Sequence, residues 1–237
     1  MIPLVTELAK VYMSEHSDIA IAVSQNSIQS AGGIMGAAKG ELEIGMANRP
    51  LKEDELSLGL ETAEIARVGV VVGLNKNIAI KDISSENLCK VYEGKIKKWS
   101  ELGGGEGMVV ALSKSEKDAT KETIRKNIAC FRNLKEAETI VVVPTSPQTA
   151  KALTNSKAMG FTDTVDVDAS NGAIVALKLD GVEPSIENIR SGKYKVVQVY
   201  RLVTKGKPSG AVKGFIDFIK GHKGRKVIEA SGAIPVK

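Results

Sequence analysis

The chain has 237 residues, of which 43% are hydrophobic, 26% charged and 4% aromatic, with a formal net charge of +5. That length buries a substantial core, in one large domain or two modest ones, and so few aromatic rings argue against a surface that stacks nucleic-acid bases. The excess of lysine and arginine favours anionic partners, yet the lysines read as spread along the chain, as on an ordinary solvated basic surface.

Residues 1–16 are predicted to form a helix, with Pro3 suited to its first turn and apolar residues at helical spacing. Residues 18–25, DIAIAVSQ, read as a short strand. Ser30 is placed to cap a helix over 31–39 that Gly40 ends. LEIGMAN is the next strand, KEDELSLG a further turn of helix, and the β-branched run over 65–75 a long buried strand. A capped helix in SSENLCKVYEG and a turn-rich KKWSELGGG follow. Then come a strand in GMVVALS, a helix in DATKETIRKNIACF, a strand in AETIVVVP and a helix in SPQTAKALTNSK. The strands AMGFTD, GAIVALKLDGVEPS and YKVVQVYRLVTKG precede two closing helices over 209–232. This alternation predicts an α/β protein with largely parallel sheets. The long strands at 65–75 and 196–205 divide it into lobes 1–72 plus 196–237 and 73–195, joined by crossovers.

Cys89 and Cys130 have no CxxC spacing and no nearby histidine, which excludes the common zinc patterns; they read as buried free thiols, with a disulfide left open. His16 and His222 lie near no plausible nucleophile. The chain has no Walker loop, nucleophile elbow or dinucleotide fingerprint, so a binding protein is expected rather than an enzyme, with no cofactor and no metal. No run approaches the roughly 20 apolar residues of a membrane span, and no signal segment precedes Pro3.

The stretches GAAKGELEIGMANRPLK, LCKVYEGKIKKWSELGG and ALKLDGVEPSIENIRSGKYKVVQVYRLVTKG, the last continuing through KPSGAVKGFIDFIKGHKGRKVIEASGAIPV, occur in that order. Together they resemble the periplasmic phosphate-binding proteins of ABC importers over residues 3–236. The turn positions of DGVEPS, NIRSGKY and LVTKG carry the most specific part. The resemblance implies a two-lobed type II periplasmic-binding-protein fold with an interlobe ligand cleft, and an extracytoplasmic monomer. Its expected ligand is inorganic phosphate or another small anion, and its expected partners are ABC permease subunits, not nucleic acid. The family's Gly-Ser-Thr stretch would fall just before Pro3, and its strand and loop are not in the sequence. The competing reading is a non-transporting sensory or interaction module with weak or no anion binding.

Such a pocket needs short donor contacts from helix N-termini, backbone that approaches closely at glycine, and a positive side chain. By resemblance the serine loop of the first lobe falls on Ser30, Ala31, Gly32 and Gly33, and the pocket aspartate on Glu43. Arg49 reads as a salt-bridge residue instead. In the second lobe Lys114 stands for the family's arginine, Asp118 for a serine, Ala119 for a glycine, and Thr120 is retained. Lysine supplies charge without the planar fork. Asp118 is a strong N-cap whose carboxylate would take up helix N–H groups and repel an anion, so weak phosphate binding is expected.

Overall fold

The computed structural model describes residues 1–236. Its elements run α1 (Ile2–Glu15), α2 (Gln29–Lys39), β1 (Gly45–Ala47), α3 (Glu53–Leu56), β2 (Leu60–Asn75), β3 (Asp82–Ile83) and α4 (Ser85–Tyr92). Next come β4 (Val110–Ser113), α5 (Ala119–Asn127), β5 (Val141–Val142), α6 (Ser146–Asn155), β6 (Ala158–Asp163), α7 (Thr164–Ala169) and β7 (Ile174–Ala176). The chain closes with β8 (Lys178–Leu179), α8 (Ile186–Arg190), β9 (Val197–Lys205), α9 (Gly210–Lys220), α10 (His222–Ala230) and β10 (Ile234–Pro235). Short 3₁₀ turns lie at Trp99–Leu102 and Ala129–Phe131. The chain divides into two compact units, Met1–Val68 with Gln198–Lys237, and Gly69–Val197.

In the first unit, β1 pairs antiparallel with β9, Gly45 opposite Val203, and β10 pairs antiparallel with β2, Ile234 opposite Arg67. Leu4, Val5, Leu8, Ala9 and Tyr12 recur at helical spacing on α1 and are all buried. The Tyr12 ring meets Phe215 and Phe218 of α9 at centroid separations of 5.4 and 5.2 Å, so the last helices cover the first. Ile34 and Ala37 of α2 pack with Ala47 and Val203.

In the second unit, β4 lies parallel to β5 and β6, while β6 and β7 pair antiparallel with β2. A parallel pair, β3 with β8, stands apart from that sheet. Tyr92, Phe131 and Phe161 form an aromatic trio with ring centroids 5.1 to 5.5 Å apart. The Tyr92 hydroxyl is satisfied by the Leu112 carbonyl at 2.7 Å.

Four local expectations change. No strand forms over 18–25: its apolar alternation suits a sheet edge, but Ile19 N–H turns back to the His16 carbonyl and Ile21 N–H to the Met13 sulfur, with no strand assigned. The strand expected in AETIVVVP shrinks to Val141–Val142. The sheet is mixed rather than largely parallel: the sixteen-residue β2 takes β6, β7 and β10 antiparallel and β1 pairs antiparallel with β9, whereas β4 runs parallel to β5 and β6. Cys89 and Cys130 are not free thiols but a disulfide, closing a sequence separation of 41 residues that spacing alone could not pair.

Candidate functional site

In the first unit the expected donors gather where α2 begins. The helix starts at Gln29 with Ile28 at the N-cap, so Ser30 lies inside the first turn and is not the cap. Ser30 Oγ instead accepts a hydrogen bond from Asn48 N–H at 3.0 Å, leaving its own proton to donate elsewhere. Starting the helix this early also moves the glycines into the ladder. By the i to i−4 rule the amides of Ser30 and Ala31 precede the first ladder bond, and those of Gly32 and Gly33 fall within it.

Two of the glycines have a packing role. A Cβ on Gly33 would lie 2.4 Å from the Met46 carbonyl oxygen, and one on Gly45 would lie 2.1 Å from the Gly33 carbonyl oxygen. Backbone on α2 therefore touches backbone on β1 directly, which only glycine permits. A Cβ on Gly32 would meet the Ile28 side chain at 2.8 Å. Glu43 is exposed, just ahead of β1. Arg49 is buried and makes a bidentate salt bridge to Glu55, with Nη1–Oε2 and Nη2–Oε1 distances of 2.6 and 2.7 Å. Glu55 Oε2 also accepts from Lys52 N–H at 2.8 Å. The Arg49 hydrogen bond is the main cause of a Glu55 carboxyl held below the usual carboxylate range.

In the second unit Lys114 follows the carboxyl end of β4, a position where α/β sheets commonly present ligand groups. Its side chain is buried, at 2% exposure for the residue, and Nζ donates to Thr149 Oγ1 at 2.5 Å. Thr149 in turn donates to the Thr145 carbonyl at 3.1 Å. Burial pushes the Lys114 ammonium below the usual lysine range, while Asp118, Asp166 and Asp163 act in the opposite sense. Asp118 is the N-cap of α5, and its Oδ1 accepts from Thr120 N–H at 2.8 Å. Ala119 and Thr120 are buried in the first turn behind it.

Sequence reading missed the groups that surround Lys114. Asp163 caps α7 by accepting from Asp166 N–H at 3.0 Å, and Thr162 Oγ1 donates to Asp166 Oδ2 at 2.9 Å. Burial, with Asp163 second, pushes the Asp166 carboxyl up to about 6. Lys121, one residue past Thr120, is buried too. Its Nζ donates to the Lys114 carbonyl at 3.1 Å and to Glu136 at 2.9 Å, and pairs with Glu116 at 2.7 Å. A carboxylate at a strand-to-helix junction, as in FTDTVD, was the available signal for Asp163. Nothing local marks Thr149 or Glu136.

The mixed sheet with flanking helices is that of a type II periplasmic-binding-protein fold, a class of binding proteins rather than enzymes. A family model described as a PBP superfamily domain matches residues 1–221, and the chain belongs to that superfamily. Among curated relatives, "Phosphate-binding protein PstS" of Bacillus subtilis is 28% identical over 239 residues, covering 100% of this chain and 78% of the relative. A Clostridium perfringens crystal structure, described as a putative phosphate ABC transporter substrate-binding protein with bound phosphate, superposes with a TM-score of 0.85. It is 29% identical and covers 99% of this chain and 95% of its own. An ABC-type phosphate transport receptor from Vibrio cholerae shares the fold, with a TM-score of 0.68, 24% identity, and 98% and 95% coverage.

Proposed function

We propose that this chain is the solute-binding component of an ABC importer for phosphate or a related oxyanion, acting outside the cytoplasm, with a pocket that departs from its relatives. The naming of the Bacillus subtilis and Clostridium perfringens proteins supports the ligand class and the transporter. The donors available to an oxyanion are, in the first unit, the Ser30 hydroxyl and the amides of Ser30 and Ala31. In the second unit the residues assigned to it are Lys114 and, at the start of α5, Thr120.

One observation carries the departure: Asp118 occupies the Thr120 N–H at 2.8 Å at the helix end an anion would use. A carboxylate about 4 Å from a bound anion costs on the order of 4 kcal/mol at an effective dielectric near 20, or about three decades of affinity. Lys114 offsets part of this, but its charge already faces Asp118, Asp163 and Asp166. Isothermal calorimetry at neutral pH and low salt is expected to give a phosphate Kd from about 1 mM down to the high-micromolar range. The double variant Asp118→Ser, Ala119→Gly is expected to bind more tightly. Sub-micromolar binding by the unmodified chain would place the Asp118 carboxylate away from the ligand.

A further inference from the structure

The positive charge is far less evenly spread than the scattered lysines suggest. Residues 205–226 hold seven of the 33 Lys and Arg but only one of the 28 Asp and Glu, Asp217. The other 215 residues carry 26 cations and 27 anions, a net charge of −1, so this single stretch accounts for the basic character of the whole chain.

Folding concentrates much of that stretch at the junction of α9 and α10. Phe215, Ile216 and Ile219 of α9, and Gly224 and Ile228 of α10, are buried, which leaves Lys213, Lys220, His222, Lys223 and Lys226 exposed. The junction is tight: a Cβ on Gly224 would lie 2.4 Å from the carbonyl oxygens of both Phe218 and Ile219. Arg225 Nε donates to the Lys220 carbonyl at 2.9 Å, drawing the end of α9 and the first turn of α10 together. The nearby acids do not balance this corner. Asp217 pairs with Lys213 and Glu15 with Lys223 at 2.6 Å, two acids against the cations of this corner.

Part of the arrangement works against folding: the first turn of α10 holds no acidic residue, so its cations sit at the positive end of that helix dipole, whereas Lys220 lies favourably in the last turn of α9. A partner of opposite charge recovers what folding loses there. The corner offers charge alone: none of the exposed large hydrophobic side chains lies between 205 and 226, and Phe215 is buried. It has no wedge to insert and no exposed ring on which to stack a base, which argues against single-stranded nucleic acid.

We infer that the α9–α10 corner is a docking surface for the anionic headgroups of a phospholipid bilayer. The choice of a bilayer among polyanions rests on the importer reading, because a carrier that delivers to a membrane transporter works beside lipid headgroups; the charged corner itself does not depend on that reading. Docking is electrostatic and superficial, and it is screened by salt.

The test is co-sedimentation of the full chain with vesicles of phosphatidylcholine containing about 30% phosphatidylglycerol, where each surface cation contributes attraction. Binding is expected at low salt, is expected to vanish in about 0.5 M salt, and is expected to be absent from pure phosphatidylcholine. Lys220→Glu with Lys226→Glu should weaken it at least about tenfold. Lys151→Glu with Lys157→Glu, an equal charge change at exposed positions of the second unit, should weaken it far less, with thermal melting confirming that both variants fold. No pelleting at low salt, equal losses from both variants, or tighter retention by single-stranded DNA would each overturn the proposal. Pelleting is read without phosphate and calorimetry without lipid, so the docking and the ligand reading can fail separately.

Discussion

Arg49 and Glu55 show how a single pair can matter more than its number of bonds suggests. Both side chains are 8% exposed, and the bidentate contact satisfies each charge where water cannot. Removing one partner strands the other, so Glu55→Gln is expected to cost about 3–5 kcal/mol in urea denaturation. The paired change Arg49→Met, Glu55→Met is expected to cost much less, since no charge is then left buried alone. The sign of the pH dependence follows from the depressed Glu55 carboxyl. Its contribution is fully present above the ordinary glutamate value of 4.5 and is lost as pH falls through the lower folded value. The Glu55→Gln variant should therefore show a shallower acid limb than the parent chain.

Among the elements, α5 is held at both ends by different chemistry. Asp118 caps its N-terminus, and beyond its C-terminus Cys130 is bonded to Cys89 of α4. The disulfide thus ties the helix whose first turn carries Ala119 and Thr120 to the body of the second unit. Closing 41 residues restricts the unfolded chain by about 4 kcal/mol in the loop-entropy view. Cys89→Ala with Cys130→Ala, or reduction, is expected to destabilise the protein by up to that amount. The check is denaturant melting with and without reductant, where the double variant should lose its response to reductant.

At the scale of the whole molecule, ligand binding and stability are linked, because anything that binds only the folded state stabilises it. With a Kd of about 1 mM, phosphate at about 20 mM should add roughly 2 kcal/mol. For a chain of this size that corresponds to a Tm rise of about 4–8 °C. Sulfate at the same concentration has no proton to donate to a carboxylate acceptor and is expected to give a smaller rise. Equal shifts from the two anions would mean a general salt effect in place of a selective site. Ser30→Ala should reduce the phosphate shift if the α2 end contributes donors, measured against a melting point without ligand that is itself lowered by loss of the Asn48 N–H acceptor.

Features that depend on near neighbours were legible from the residues alone. Apolar spacing placed α1, the β-branched run placed most of β2, and caps such as Ser84 and Asp118 act within three residues, bonding the amides of Asn87 and Thr120. The ordered motifs over residues 3–236 carried the family resemblance, and with it the fold. Packing set the rest, because those choices lie between residues far apart in the chain. Residues 18–25 have strand-like alternation but form no strand, since a strand needs a ladder. That Gly33 lies against the Met46 carbonyl is a contact between residues of different elements, which no local pattern shows. Lys114 could be named as a cation from its place in the motif. That its hydrogen-bond partner lies 35 residues away, and that Asp163 and Asp166 face it from another strand-to-helix junction, is set by how β4, α6 and β6 pack.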